Sequence, residues 1–517
     1  MRSLSSRLQH HALDEPGRRA IAEGERRIDY SSLWAQACAF AQSLESSGVS
    51  RGDRVAVILS NCIEAVVACY GCWLAEAVVV PLNAQARPRD LEPWLRHCEA
   101  RCVVHAHDHA DAQAACTAIG PDLIRILVGG HATGHGALSW EQAIAQSATA
   151  NAPEGNDHAL AMILYTSGTT GAPKGVMLSH ANLAANVDSI IGYLELNKDD
   201  SIVTVLPFYY SYGQSVLHTH LASGAYLVIE QNLVFPHLMV ETLAREKVSG
   251  FSGVPSTFLL LLNRVPLADY DLSSLRYLTQ AGGAMAPAVA QRLHEAIPQA
   301  RLFIMYGQTE ATARLAWLPP ERFAEKQGSV GIPIPGVELE VRTEAGTVAA
   351  ALEVGEVFAR GPNVMLGYWR DEAKTREAVD ADGWMHTGDL ATMDAEGYVN
   401  IVGRIKDMVI RGGENIYPRE IEEFLYRHPQ VQDVQVVGVP DQKYGEELCA
   451  WIIAKPGTQP TEDDIRAFCK GQIAHYKVPR YIRFVTSFPM TVTGKIQKFK
   501  IRDEMKDLLG LEEQKTA

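Results

Sequence analysis

Residues 165–175 read YTSGTTGAPKG and follow the apolar run LAMIL, so they form a loop leaving a strand. The loop holds Gly168, Gly171 and Gly175, the hydroxyls of Thr166, Ser167, Thr169 and Thr170, and Lys174. Glycines let backbone N–H groups close on phosphate oxygens, hydroxyls add donors, and a lysine supplies a point charge. The chemistry this composition suits is binding of a polyphosphate. It is not a Walker loop, because the G-x-x-x-x-G-K-[ST] spacing is not met. A polar surface turn would use the same residue types, so the loop alone leaves both readings open.

Ten of these residues, TSGTTGAPKG, resemble the signature of the adenylate-forming superfamily: acyl- and aryl-CoA synthetases, luciferases and the adenylation domains of peptide synthetases. Further segments match in the family's order. They are YGQTE at 306–310, DGWMHTGDL at 382–390, GRIKDMVIRGGENIYPREIE at 403–422 and TVTGKIQK at 491–498. The resemblance implies that a carboxylate attacks the α-phosphate of ATP and releases pyrophosphate. Two anions must meet, so the site has to neutralise charge and align the attack.

The family pattern then implies roles. Lys174 and its loop would hold the β- and γ-phosphates. Glu310 would bind Mg²⁺, a hard cation that favours oxygen ligands. Thr309 would hydrogen-bond the α-phosphate. Tyr306, with Gly307 beside it, would lie against adenine, and the Gly282, Gly283 and Ala284 backbone would cover the other side. Asp389, acceptor-only when ionised, suits two ribose hydroxyls, and Arg404 adds a donor. Lys495 would bridge the substrate carboxylate and the α-phosphate as charge develops.

In the second half-reaction a thiol, from CoA or from the phosphopantetheine of a carrier protein, attacks the acyl-adenylate. The resemblance implies that a small C-terminal lobe rotates about Lys406. That motion carries Lys495 away and brings residues 411–415 (RGGEN) to the acyl site. Gly412 and Gly413 would let the thin thiol arm pass close to backbone. The roughly 20 residues after Lys495 are too few for a carrier domain, so a carrier acceptor would be a separate protein.

LPFYYSYG, at 206–213, matches the segment that opens the acyl pocket. Tyr210 stands where many relatives carry histidine, which makes a tyrosine gate to the thiol tunnel the expectation. Ser211 stands where amino-acid-activating relatives place an aspartate. A serine cannot neutralise a buried ammonium, so an α-amino acid is not the expected substrate. Tyr212, Gly213, Val254, Met285 and Ala313 would face the acyl chain and favour a fatty or aromatic acid. A non-catalytic ATP- or acyl-adenylate-binding module would be favoured by loss of Lys174, Glu310 or Lys495, and all three are present. A kinase reading lacks its motif set.

These residues need elements to hold them. Strand patterns at 55–59, 78–82, 102–105, 201–206, 226–230, 251–254 and 302–305 alternate with helical ones at 63–77, 91–100, 238–247 and 287–296. Such alternation predicts an α/β fold with parallel-type sheets flanked by helices. Past Gly331 the texture becomes strand-and-turn, and around Arg404 it changes again. Helices are expected at 420–427 and 461–472, and strands at 431–439 and 448–454. The expectation is a large N-terminal adenylation lobe over 1–404, with a strand-rich part, and a small mobile α+β lobe over 405–517.

Composition bounds the rest. The 517 residues are 47% hydrophobic and 21% charged, which excludes a largely disordered chain. A length of 517 suggests about three units of ~150 residues, or two unequal lobes. Lys+Arg of 47 against Asp+Glu of 61 gives a charge of −14, which speaks against a broad nucleic-acid or anionic-membrane surface. Nine cysteines, an odd and sparse set, read as reduced thiols in the cytoplasm. The first 20 residues lack a signal-peptide core, and the apolar stretch 63–82 reads as a buried helix and strand rather than a membrane span. Cys69 and Cys72 read as packing residues, not zinc ligands, because they lie inside that helical run. His105, His107 and His109 read as a polar strand end. The expected partners are a small carboxylic acid, ATP with Mg²⁺, and CoA or a carrier protein, for a monomer or homodimer in fatty acid metabolism.

Overall fold

A computed structural model describes residues 3–131, 136–146, 148–155, 157–166, 173–231, 235–490 and 496–510. Ser167, Gly168, Thr169, Thr170, Gly171 and Lys495 lie outside the described residues. Among the described residues, one sheet has nine strands. Its centre is parallel: Arg301–Tyr306, Tyr277–Gln280, Gly250–Gly253, Ser201–Thr204, Tyr226–Ile229 and Arg19–Glu23, in spatial order. A second sheet of eight strands is parallel from Leu160–Thr166 through Val78–Pro81 and Arg54–Ile58 to Ala137–Ser139. Both are buried by helices, as near-continuous Val/Ile/Leu strands require.

The helix Ile63–Leu74 shows why. Every one of its residues is buried, and Tyr70 and Trp73 are among the largest fully buried side chains. Each aliphatic side chain buried in this way stabilises the fold by about 1.5–3 kcal/mol. Glu64 escapes an unpaired burial by pairing with Arg26. Cys69 and Cys72 pack inside this helix, and among the described residues no cluster of His, Cys, Asp or Glu could hold a metal ion. Nor is any described helix long and apolar enough to cross a membrane.

One local expectation changes. The helix expected at 91–100 runs Pro88–His97, started by Pro88 in its first turn, and Ala100 already begins the next strand. The three histidines do not share a strand face. His105 ends within the strand Ala100–Ala106, whereas His109 caps the helix Ala110–Ile119 by accepting from the Ala112 N–H.

A four-stranded antiparallel sheet follows: Glu338–Arg342, Gly355–Arg360, Met385–Met393 and Val399–Arg404. After Arg404 comes one tight turn, Ile405–Asp407, and then a further, largely antiparallel sheet beginning at Val409–Arg411. Strand–helix–strand texture conceals that antiparallel pairing, which joins Val431–Asp441 to Gly445–Ala454 over its full length. Buried residues from Val409 onward form their own cores, separate from those of the earlier sheets.

Candidate nucleotide and acyl site

The strand Leu160–Thr166 turns back as Lys174–Ser179, with Thr166 opposite Lys174. The two strands that flank the glycine-hydroxyl stretch therefore pair antiparallel with each other. The pair Gly367–Tyr368 adds to the free side of Lys174–Ser179. This brings Tyr368 under Lys174, whose Nζ lies 5.5 Å from the ring centroid, a cation–π distance. The Tyr368 hydroxyl donates to Glu310 Oε1 at 3.0 Å. Burial and the Glu310 charge both raise the Tyr368 pKa, so the phenol stays protonated and acts as the donor. Glu310 follows Thr309 in a short 3₁₀ turn, where the Met365 N–H bonds its carbonyl at 2.9 Å.

Tyr306 ends the strand Arg301–Tyr306, and its hydroxyl donates to Asp389 Oδ2 at 2.7 Å. Burial, then the Asp389 charge, raise the Tyr306 pKa well above the ordinary tyrosine value. Asp389 is 4% exposed, and Arg404 approaches its Oδ1 at 3.0 Å from the opposing strand. The Asp389 N–H bonds Thr387 Oγ1 at 3.1 Å. The carboxylate of Asp389 holds the Arg404 guanidinium charged, with Asp407, Tyr306 and Glu310 adding to its field. Glu310 and Asp389, with their partners, thus share one neighbourhood. Ser211 joins it, its Oγ 3.2 Å from Thr309 Oγ1.

Gly283, Ala284 and Met285 line a small opening with Gln280 and Met305. Gln280 Nε2 holds the Gly283 carbonyl at 2.8 Å. Tyr306 does not line this opening; its hydroxyl turns to Asp389. Arg419, on the helix Pro418–Leu425 beyond the tight turn, reaches the same opening.

The expected acyl residues divide. Tyr210 starts the helix Ser211–Ala222 with its ring 4.6 Å from that of Tyr209. Tyr212 is buried and donates to the Thr279 carbonyl at 2.9 Å. Ala313 is buried, and Val254 starts the helix Pro255–Arg264. Gly213 has a different use. A Cβ there would sit 2.1 Å from the Pro207 carbonyl oxygen, so glycine is needed for the helix to cross its own leading segment. Gly213 thus has a packing reason of its own.

Lys406 is exposed in the turn Ile405–Asp407. Gly412 and Gly413 form the two-residue loop of the hairpin that pairs Arg411 with Glu414. Their φ values of 62° and 90° are the left-handed conformation such a loop demands. Arg411 anchors the hairpin through Glu447, 2.7 Å away and fully buried.

Sequence reasoning missed Tyr368, Thr387 and Arg419. Tyr368 lies in a strand-and-turn stretch whose only signal is an aromatic after glycine. Its role comes from a pairing to a strand almost 200 residues earlier.

A family profile described as AMP-binding enzyme matches residues 8–369, and one described as AMP-binding enzyme C-terminal domain matches residues 420–495. The medium-chain acyl-CoA ligase ACSF2, mitochondrial, of Homo sapiens is 35% identical over 519 residues, covering 94% of this chain and 84% of that one. The crystal structure of the anthranilate CoA ligase AuaEII with anthranoyl-AMP superposes with a TM-score of 0.91 at 28% identity, over 99% of this chain and 98% of that one. ATP-bound MatB from Rhodopseudomonas palustris gives 0.88 at 30% identity, over 98% and 99%.

Proposed function

This chain belongs to the AMP-binding enzymes, and from that premise we propose how its residues divide the reaction of an acid–thiol ligase. It is an ATP-dependent, AMP-forming ligase of the acyl-CoA synthetase type. A carboxylate oxygen bonds to the α-phosphorus of ATP, pyrophosphate leaves, and the acyl group then passes from AMP to the sulfur of CoA.

In our reading Asp389 accepts from the ribose hydroxyls while Tyr306 and Arg404 hold its carboxylate in place. Lys174, Thr166 and the glycine-hydroxyl stretch between them bind the outer phosphates. Thr309 donates to the α-phosphate, and Ser211 beside it marks where the acid enters. Glu310 presents hard oxygen ligands beside the phosphates, which fits Mg²⁺, and the ion would offset the phosphate charge. Its Tyr368 bond fixes the carboxylate. Lys495 is assigned to the first step and the Arg411–Glu414 hairpin to the second, with the swing at Lys406.

The acid we assign is fatty or aromatic. Ser211 gives no carboxylate to an α-ammonium, and the relatives named above act on medium-chain acyl groups and on anthranilate. All nine cysteines are free and eight are buried, which supports a reducing compartment such as the cytoplasm.

The observation that carries this reading is the joining of distant segments around one neighbourhood, Glu310 through Tyr368 to Lys174 and Tyr306 through Asp389 to Arg404. The test is carboxylate-dependent exchange of labelled pyrophosphate into ATP over fatty, aromatic and amino acids. Free CoA and a phosphopantetheinylated carrier are then compared as acceptors. Exchange with amino acids alone would overturn the acid assignment.

A further inference from the structure

We propose that Asn363 is a positioning residue for the first half-reaction: its amide clamps the loop that carries Thr309 and Glu310 into a backbone shape the loop would not keep alone. The proposal rests on the acid–thiol ligase reading and adds a residue that acts on the groups assigned to the α-phosphate and Mg²⁺ from behind.

The loop is strained at one point. Thr309–Ala311 is a short 3₁₀ turn, and Thr312 ends it at φ 66° and ψ −40°. The Ala313 N–H folds back on the Ala311 carbonyl at 2.7 Å. A bond across one central residue of positive φ is the γ-turn that proteins seldom use, because it is strained. A branched Cβ makes it costlier. Among the described residues seven other than glycine have positive φ, and Thr312 is the one β-branched member of that set. The sharp bend returns Ala313 over Gly307, where a Cβ would lie 2.1 Å from the Ala313 carbonyl oxygen. Such a conformation persists only where its surroundings over-determine it.

Asn363 supplies that restraint. It is 1% exposed, and its Nδ2 donates to the carbonyls of Ala311 at 3.2 Å and Arg314 at 2.8 Å, on either side of Thr312. In return the Thr312 hydroxyl donates to the Asn363 carbonyl at 2.6 Å. Two residues on, the Met365 N–H bonds the Glu310 carbonyl at 2.9 Å. The bracing segment is itself tied down, because Asn182 Nδ2 donates to the Pro362 and Val364 carbonyls, each at 2.8 Å. Asn363 Oδ1 is buried and has no partner among the described residues. A buried amide that uses both donors and leaves its acceptor unpaired is there for its donors.

Thr309 and Glu310 stand just before the clamped bend, and the first step needs both aimed. Thr309 Oγ1 lies 3.2 Å from Ser211 Oγ, and Glu310 Oε1 accepts from the Tyr368 hydroxyl at 3.0 Å. Tyr368 fixes the end of the Glu310 side chain, and Asn363 fixes the backbone from which it hangs. Without the two amide bonds Thr312 would relax toward negative φ, and the turn before it would shift with Glu310. A displacement of about 1 Å at a reacting group costs roughly 100-fold in rate.

The test uses the full chain, the fatty or aromatic acid that the wild type activates best, and the acyl-AMP of that acid. Asn363→Ala is compared with the wild type and with Thr312→Val, which removes the hydroxyl and keeps the side-chain shape. ATP–pyrophosphate exchange should fall by roughly 10- to 100-fold in Asn363→Ala and by less in Thr312→Val. The Mg²⁺ needed for half-maximal exchange should rise in both. Thioester formation from supplied acyl-AMP and CoA, in which no pyrophosphate leaves, should fall far less. Equal falls in the two half-reactions with an unmoved magnesium midpoint are what a purely structural asparagine would give, and they overturn the positioning role while the ligase reading stands. Wild-type behaviour of Asn363→Ala in both assays does the same. If Asn363→Ala does not fold, the magnesium midpoint of Thr312→Val decides. A wild type silent with every acid removes the ligase reading, and the positioning role with it.

Discussion

Asp389 and Arg404 stand opposite each other on adjacent antiparallel strands, Arg404 Nε 3.0 Å from Asp389 Oδ1, and the Tyr306 hydroxyl closes on Oδ2 at 2.7 Å. A cross-strand pair of opposite charge is modestly stabilising in itself. Its greater effect here is positional, because a carboxylate gripped from two sides can offer its remaining lone pairs in a fixed direction.

Replacing Asp389 by alanine should therefore cut ATP recognition more than stability. Loss of two hydrogen bonds to a charged group predicts a rise in the KM for ATP of roughly 10- to 100-fold. Arg404, half-exposed, can return to water, so the thermal midpoint should move little. An unchanged ATP dependence would remove Asp389 from the nucleotide site.

Lys495→Ala should separate the two half-reactions. Acyl-AMP formation should fall by roughly 100- to 1,000-fold, the scale of losing one preorganised charge at the reacting phosphate. Thioester formation from supplied acyl-AMP and CoA should fall far less. Equal losses in both assays would refute the assignment of this lysine to one step.

Tyr368→Phe removes the hydroxyl that bonds Glu310 at 3.0 Å while keeping the ring beneath Lys174. A carboxylate freed to rotate should need about 3- to 10-fold more Mg²⁺ for half-maximal exchange, the equivalent of roughly 1 kcal/mol. A magnesium titration of wild type and variant that superposes would show that Tyr368 only packs.

Acid should unfold this protein through its buried histidines. His218 and His220 are each 1% exposed, and burial depresses their pKa values to about 3 and about 4. The unfolded chain binds these protons near pH 6.5, and the folded chain refuses them. The stability is therefore fully present above pH ~6.5 and is lost as pH falls toward 4, by up to about 1.4 kcal/mol per pH unit for each group. Urea midpoints measured from pH 7 to pH 5 should drop less steeply for His218→Phe than for the wild type. Parallel slopes would mean that His218 does not contribute.

How much of this was legible beforehand varies with the range of the interaction. The helix Pro287–Ala296 was readable to the residue, since proline starts it and its apolar spacing is local. The helix before Ala100 was misplaced by three residues at both ends, because Glu99 takes a left-handed φ of 51° that no composition signal announces. The approach of Gly213 to the Pro207 carbonyl gives that glycine a packing reason that its type did not announce. That contact depends on how the chain folds back on itself, which residue type alone does not report.

The chain's own letters determined the class of chemistry. The glycine-hydroxyl segment, YGQTE, the aspartate after glycine and the terminal lysine are short-range patterns, and their order carries the family. Tertiary structure alone decided which groups meet. Tyr368 reaches Glu310 because a two-residue strand pairs beside Lys174, and Tyr306 reaches Asp389 because two different sheets abut. Those are facts of packing, set by contacts between residues far apart in the chain, and a linear pattern does not encode them one residue at a time.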